Sequence, residues 1–190
     1  MGQMIATALH AQETACLVKH AAGKRVLEIG SEFGYSTVVM GQVADSLVSV
    51  DWHRMGVGHE AEREMPRKPN PIEHTLPSLL NNLHDHGLID KVTVIVATSR
   101  MALPQLRDGS FSMAFIDGDH TAEGCYYDLV QCHRLLGEEG VLAVHDIGYE
   151  LEEPFGMGPT LALDRFITGH SWVVVDEAVS LRVLRRWEPE

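Results

Sequence analysis

The sequence predicts an α/β fold, a doubly wound and mostly parallel sheet covered by helices on both faces, with an antiparallel hairpin at its C-terminal end. Three observations carry this. Short apolar runs alternate with segments of helical spacing from residue 25 to residue 144, the rhythm of strands joined by crossover helices. The first run opens onto two glycines four residues apart and then a helix. The last two β-rich runs are separated only by Asp176 to Ser180, as a hairpin requires.

Ile5 to Ala21 has Ile5, Leu9, Cys16 and Leu17 at helical spacing, and Gly23 stops it, so a helix within residues 1–22 precedes the first strand. Arg25 to Ile29 is the first strand, Tyr35 to Val43 a helix, and Ser46 to Val50 a second strand ending on Asp51. Residues 52–77 hold four prolines with Gly56 and Gly58, the composition of an ordered loop or lid inserted in one domain. Leu79 to His86 is a helix stopped by Gly87, and Val92 to Ala97 is a β-branched strand. Ser112 to Ile116 and Gly140 to Val144 are strands on either side of the helix Ala122 to Leu136. Trp172 to Val175 and Leu181 to Arg185 make the hairpin.

Composition narrows the function classes. A chain of 190 residues suits one domain, since about 150 residues make a typical one. Fifteen Lys and Arg against 27 Asp and Glu give a net charge of -12, which repels a phosphate backbone, so nucleic acid is not the expected partner. Cys16, Cys125 and Cys132 form no Cys-x-x-Cys pair, and an odd number does not make a disulfide framework, which fits a reducing cytoplasm. No apolar run approaches the roughly 18 residues of a membrane span, and Met1 to His20 lacks the basic-then-apolar layout of a signal peptide. A cytoplasmic protein without a membrane partner is expected, and homo-oligomers remain compatible with the sequence.

The segment from Val26 to Ser36 puts Glu28 near the strand end, then Gly30 and Gly34, then a helix. Glycine permits a tight turn and lets a ligand approach the backbone. A dinucleotide loop would carry a middle glycine, and here Glu32 would set a negative charge beside the diphosphate, so the loop suits a ligand without phosphates. S-adenosylmethionine is such a ligand. Glu28 can attract its cationic amino and sulfonium groups, and Asp51, at the end of the second strand, stands where an acid accepts from ribose hydroxyls. The plainer alternative is that both are solvated acids at strand ends.

At these residues the sequence resembles the Rossmann-like class I methyltransferases, and in particular the metal-dependent O-methyltransferases of the catechol and caffeoyl-CoA type. The match is carried by Leu27-Glu28-Ile29-Gly30, Gly34-Tyr35-Ser36-Thr37, Asp51, the run Gly87 to Thr93, Ala97-Thr98-Ser99 and Leu103-Pro104-Gln105-Leu106. It extends over about Gly23 to Ile147, and the tail hairpin is similar to that fold's reversed seventh strand. The resemblance implies a cofactor site formed by Glu28, Gly30, Ser31, Gly34, Ser36, Asp51, Ser99, Arg100 and Asp117, with Ser99 and Arg100 beside the adenine.

Asp117-Gly118-Asp119-His120 follows one strand and His145-Asp146 the next, and parallel strands open on the same edge, so these ionisable groups can converge near the cofactor. Clustered carboxylates repel each other unless a cation sits among them, which makes a divalent metal the expectation. In the families resembled, an Asp at the position of Asp117 and a pair at those of His145 and Asp146 hold a magnesium-type ion, implying Mg or Mn on Asp117, His145 and Asp146. His145 departs from the family in replacing an acid. Nitrogen is a poor magnesium ligand, so either fewer protein groups bind, or manganese, iron or zinc is preferred, or His145 faces elsewhere. Both neighbours can ligate only if the chain turns at Asp146.

Asp-x-x-His after the strand is also similar to the macrocin-type antibiotic-sugar O-methyltransferases, whose histidine is regarded as the base, which implies His120 as the catalytic group beside Asp117. Asp119 can equally be a turn residue or helix cap, and His120 a hydrogen-bonded histidine at a helix start. Cys132 and His133 read as packing or surface residues, and no chemistry is assigned to His10, His20, His84, His86 or His170. The expected activity is transfer of a methyl group to a hydroxyl of a small molecule, assisted by a metal. Two rivals stand beside it. A metal-dependent hydrolase would use the Asp and His cluster but leave Glu28, Gly30, Gly34 and Asp51 idle, and a cofactor-binding protein of the same fold would lack turnover.

Overall fold

The computed structural model describes residues 5–53, 75–152 and 155–187. Seven strands form one sheet in the order β3-β2-β1-β4-β5-β7-β6. The strands are β1 (Arg25–Ile29), β2 (Ser46–Asp51), β3 (Val92–Val96), β4 (Phe111–Ile116), β5 (Leu136–Val144), β6 (Trp172–Ala178) and β7 (Leu181–Arg186). The first five run parallel, and β7 enters antiparallel between β5 and the edge strand β6. This is the fold class expected from the sequence, hairpin included. The direction of winding reverses between β1 and β4, so the loops after those strands diverge and leave a hollow at their C-terminal ends.

Alternation along each strand divides the core into two layers. Leu27, Ile29, Ala114, Ile116, Leu142 and Val144 face one side, against α5 (Ala122–Leu135) and α6 (Gly158–Gly169). Val26, Met113, Phe115, Val141 and Ala143 face the other, against α1 (Ala11–Ala21), α2 (Tyr35–Val43) and α3 (Leu76–Asp85). Fully buried residues such as Phe115 and Phe166, one in each layer, contribute about 1.5–3 kcal/mol apiece.

Local sequence sets the helix ends. Thr121 accepts the Gly124 N–H at 3.0 Å and starts α5, whose Cys125, Leu129, Cys132 and Leu135 fall on the buried stripe. In α1 the Glu13 carboxylate returns to the His10 N–H at 2.8 Å, so that helix begins at Ala11 and not at Ile5, although Ile5 and Leu9 still pack on the core. Pro77 sits in the first turn of α3, which therefore starts three residues before Leu79. The helical turn α4 (Ser99–Ala102) and the helix α6 are absent from the periodicity described above. α6 buries Ala162, Leu163 and Phe166, and a Cβ on its first residue, Gly158, would collide with the His120 carbonyl, so α6 is seated directly on the loop after β4. Of the lid expected over 52–77, residues 54–74 lie outside the described residues. Among the described residues, no helix is long and apolar enough to cross a membrane.

Gly30 is required where the loops after β1 and β4 meet. It has φ +86°, and a Cβ there would run into the Asp117 carbonyl and the Gly118 Cα. The side chain would thus strike protein backbone, where the sequence suggested that it would enter ligand space. Gly109 has a similar φ of +64° with nothing within 4 Å of its Cβ position. Gly30→Ala is therefore expected to destabilise the fold by about 3 kcal/mol or more and Gly109→Ala by only about 1 kcal/mol. Urea denaturation of both variants checks the order, and equal losses would show that the loops are not in tight contact.

Candidate active site

A cavity of about 410 Å³ occupies the hollow. Its walls come from the loops after β1, β2, β3, β4 and β5, from residues 6–9 ahead of α1, and from Phe155. Of the expected site residues, Gly30, Ser31, Ser36, Asp51, Ser99, Asp117, His120, His145 and Asp146 line it, while Glu28, Gly34 and Arg100 do not.

Asp51 braces the glycine loop. Its Oδ2 accepts the backbone N–H groups of Ser31 and Glu32, both at 2.8 Å, and its Oδ1 accepts that of His53 at 2.6 Å. The loop tips are strained to reach it: Glu32 and His53 have φ of 46° and 52° without being glycine. His53 was not singled out from the sequence. Its Nδ1 pairs with Thr75 Oγ1 at 2.8 Å, and its ring is buried beside Asp51.

Glu28 lies beneath this floor. It is the penultimate residue of β1, its side chain is fully buried, and its Oε2 accepts the Thr37 hydroxyl at 2.6 Å. Burial pushes its carboxyl up to about 7, against the pull of the Ser36, Thr37 and Ser49 hydroxyls. The expectation that Glu28 meets the ligand is thus corrected, because alternation turns it into the α2 layer. Gly34 has φ 91° at the start of α2, and a Cβ there would strike the Leu79 side chain, so it serves packing. Arg100 lies over the Tyr127 ring at 4.5 Å, outside the cavity.

The acid and histidine cluster does converge. His120 Nε2 lies 3.4 Å from Asp117 Oδ1 and 3.1 Å from Asp146 Oδ2. His145 Nδ1 lies 3.3 Å from Asp117 Oδ1 and 3.2 Å from Asp146 Oδ1, although it is aligned as a hydrogen bond to neither. The turn needed for His145 and Asp146 to face one point is present, since Asp146 has φ 60°. Asp119 takes the role of a turn residue, accepting the Thr121 N–H at 2.9 Å ahead of the Thr121 cap. His133 is a packing residue, accepting the Trp172 indole N–H at 3.0 Å.

Below the cluster, α1 supplies a group that the sequence pattern did not reveal. Glu13 is fully buried and accepts both the N–H of Ser180 at 2.9 Å and its hydroxyl at 2.6 Å. Ser180 Oγ and Glu13 Oε2 then face His145 Nε2 at 3.1 Å and 3.3 Å. The only signal was an acid on the apolar stripe of α1, three residues before Cys16 and four before Leu17.

Electrostatics follow from this packing. Burial would lower the two histidines, but Asp117 and Asp146 outweigh it and push His120 up to about 10 and His145 up to about 11. Burial would raise the two acids, but the imidazoles hold both below the ordinary carboxylate range. Two imidazolium ions therefore separate the carboxylates at neutral pH, so charge balance alone does not require a metal. The four nitrogen-to-oxygen distances also match the roughly 3 Å between neighbouring ligands of an ion bound at about 2.1 Å. Asp117, His120 and Asp146 offer donor atoms all within 4.8 Å of one another.

Residues 27–147 match the family model described as "Methyltransferase domain". The chain is similar to the catechol O-methyltransferase of Mycobacterium tuberculosis, with 30% identity over 132 residues, 69% of this chain and 51% of that protein. It therefore spans about half the length of this curated relative. Two solved structures show the same fold. One is the O-methyltransferase TomG of Streptomyces achromogenes in complex with SAM (TM-score 0.68, 18% identity, 94% of this chain and 81% of that one). The other is an O-methyltransferase of Bacillus cereus in complex with SAH (TM-score 0.68, 16% identity, 95% and 84%).

The buried Glu28 has a pH signature. Its folded pKa lies above the unfolded value of 4.5, so the stability it contributes is complete below pH 4.5 and is lost as pH rises through about 7. Glu28→Gln removes that loss. The stability of the variant relative to wild type should increase between pH 4.5 and 7 by up to about 3 kcal/mol. Denaturant melts at the two pH values check it, and a pH-independent difference would mean that Glu28 is charged in the fold throughout.

Proposed function

The chain belongs to the methyltransferase-domain family, and on that premise we propose that it transfers a methyl group from S-adenosylmethionine to a hydroxyl of a small molecule, with a divalent cation assisting. The observation that carries this is the composition of one cavity: a glycine loop braced on Asp51 forms one wall, and Asp117, His120, His145 and Asp146 meet at the other. The names of the curated relative and of the two solved neighbours agree with it. A hydrolase reading uses only the second wall.

When bound, S-adenosylmethionine supplies a methyl carbon on a positively charged sulfur, and a divalent ion supplies Lewis acidity toward the acceptor oxygen. Asp51 accepts one backbone N–H at Oδ1 and two at Oδ2, which leaves Oδ1 capacity for a ribose hydroxyl. Ser31, buried in the loop, Ser36, buried in the first turn of α2, and Ser99 also line the cavity. Asp117, Asp146 and His145 Nδ1 would hold the cation. His145 Nε2 already faces Ser180 and Glu13, so a neutral His145 keeps its proton there and offers the Nδ1 lone pair. A mixed oxygen and nitrogen set suits manganese, iron or zinc better than magnesium.

His120 has the position of a base but not yet the protonation state. Its Nε2 shares a proton with Asp117 and Asp146, and it can accept another only after positive charge on those carboxylates has displaced the first. Asp117 and Asp146 would thus serve both roles, holding the cation and, once neutralised by it, leaving His120 Nε2 free to take the acceptor's proton. Phe155 stands edge-on to the His120 ring, with ring centroids 5.9 Å apart, at the cavity wall.

Calorimetry with S-adenosylmethionine, then a panel of hydroxylated small molecules with labelled methyl donor, tests the reading. Asp51→Ala should weaken cofactor binding by about 1–3 kcal/mol, and unchanged affinity would remove Asp51 from the site. Chelation and Asp146→Asn should each abolish transfer to an identified acceptor and leave cofactor affinity nearly intact. Full activity in chelator would rule out the cation. His120→Asn should lower turnover by about 100-fold or more with cofactor binding unchanged, and near-normal turnover would exclude it as the base.

A further inference from the structure

We propose that Cys16, His20 and Asp176 form a zinc site that staples the N-terminal helix α1 to the edge strand β6. This site lies outside the cavity and does not depend on the methyl-transfer reading. Cys16 and His20 stand four residues apart on α1 and so share one face of the helix. Asp176 reaches that face from β6. One ligand atom from each of the three residues lies within 4.8 Å of the other two, and His20 Nε2 is 2.9 Å from Asp176 Oδ2.

The chemistry of the donors selects the ion. Thiolate, imidazole and carboxylate together suit zinc, whereas magnesium and calcium want oxygen alone. Cys16 is buried to 7% exposure and is a free cysteine, and the His20 side chain is 10% exposed, so two ligands are already fixed by packing. Lys19 Nζ sits 2.7 Å from the same Asp176 Oδ2. It is a removable cation, because its side chain is 67% exposed and can swing into water. The carboxylate therefore already holds one positive charge at the point where the ion would enter. Burial and Asp176 keep the Cys16 thiol protonated in the free protein. Zinc binding forms the zinc–sulfur bond, releases that proton to solvent and changes no oxidation state. A water would complete the set from the Lys19 side, where that side chain is exposed. His20 and Cys16 carried no chemistry in the sequence pattern because their partner lies 156 residues beyond His20.

The staple would fix the helix that bears Glu13, one turn before Cys16, under His145. Protein stripped with a chelator and titrated with Co²⁺ should develop a thiolate-to-cobalt absorption in the near ultraviolet that saturates at one equivalent bound to this site, whether or not further Co²⁺ enters the cavity. Zn²⁺ should displace it and raise the melting temperature. Cys16→Ser should lose the absorption and weaken Zn²⁺ binding at least tenfold, and Asp176→Asn, at a partly exposed position, should keep the absorption and bind more weakly. His20→Gln serves where Cys16→Ser does not fold, and circular dichroism reports folding. A folded wild type without the absorption, an absorption that survives in Cys16→Ser, or zinc uptake abolished by Asp117→Asn and unaffected by Cys16→Ser would each overturn the site.

Discussion

Two carboxylates held a few ångströms apart at the mouth of the sheet set the terms for the surrounding structure. Asp117 follows β4 and Asp146 follows β5, and the parallel pairing of Ile116 with Val144 leaves them no separate place to go. Left alone they would repel each other strongly in a half-buried site. The fold answers with His120 on one side and His145 on the other, and Asp146 takes a left-handed backbone conformation to complete the contact. His145 in turn would be a buried cation with an unsatisfied N–H, so Ser180 from the hairpin turn and Glu13 from α1 close beneath it. The first helix, the last hairpin and two central strands are thus tied together through one imidazole.

Strain is concentrated at the same place. Among the described residues, four that are not glycine have positive φ, and three of them, Glu32, His53 and Asp146, line the cavity. Each such conformation costs on the order of 1–3 kcal/mol and persists only where neighbours over-determine it. Asp51 is the determinant for Glu32 and His53, whose N–H groups it accepts. The pair of histidines is the determinant for Asp146. A loop merely connecting a strand to a helix has no reason to carry such cost, and its concentration around one hollow points to a site.

What the sequence made legible was set by range. Alternating apolar runs report contacts with an entire layer, so the five parallel strands, the tail hairpin and α5 could be read within a few residues. The positions of Gly30 and Asp51 at the mouth of the sheet were legible because a turn and a strand end are local, but the reason for the glycines was not, since Gly30 and Gly34 meet the Asp117 backbone and Leu79, both distant in sequence. α6 was not, because Leu161, its exposed apolar residue, blurs the stripe formed by Ala162, Leu163 and Phe166. Glu28 misled for a related reason: its neighbours in sequence suggest a strand end facing ligand, whereas alternation in β1 turns it toward Thr37. Glu13 was invisible, since an acid on a helix stripe has meaning only once Ser180, 167 residues later, folds against it.

The expectation of a metal rested on repulsion between carboxylates, and the structure removes that premise without removing the site. Asp117 and Asp146 push His120 and His145 toward the protonated form, which offsets the negative charge of the two carboxylates. The two solutions exclude each other, because an ion held between these oxygens would have to replace the imidazolium protons there. The two rings would then differ. His145 would keep its remaining proton on Nε2, against Ser180 and Glu13, with Nδ1 turned toward the carboxylates. His120, which stands against Phe155 at the cavity wall, would have a free lone pair. Two histidines with the same pair of carboxylate partners are therefore made chemically different by what stands behind them, and Glu13 and Ser180 supply that difference.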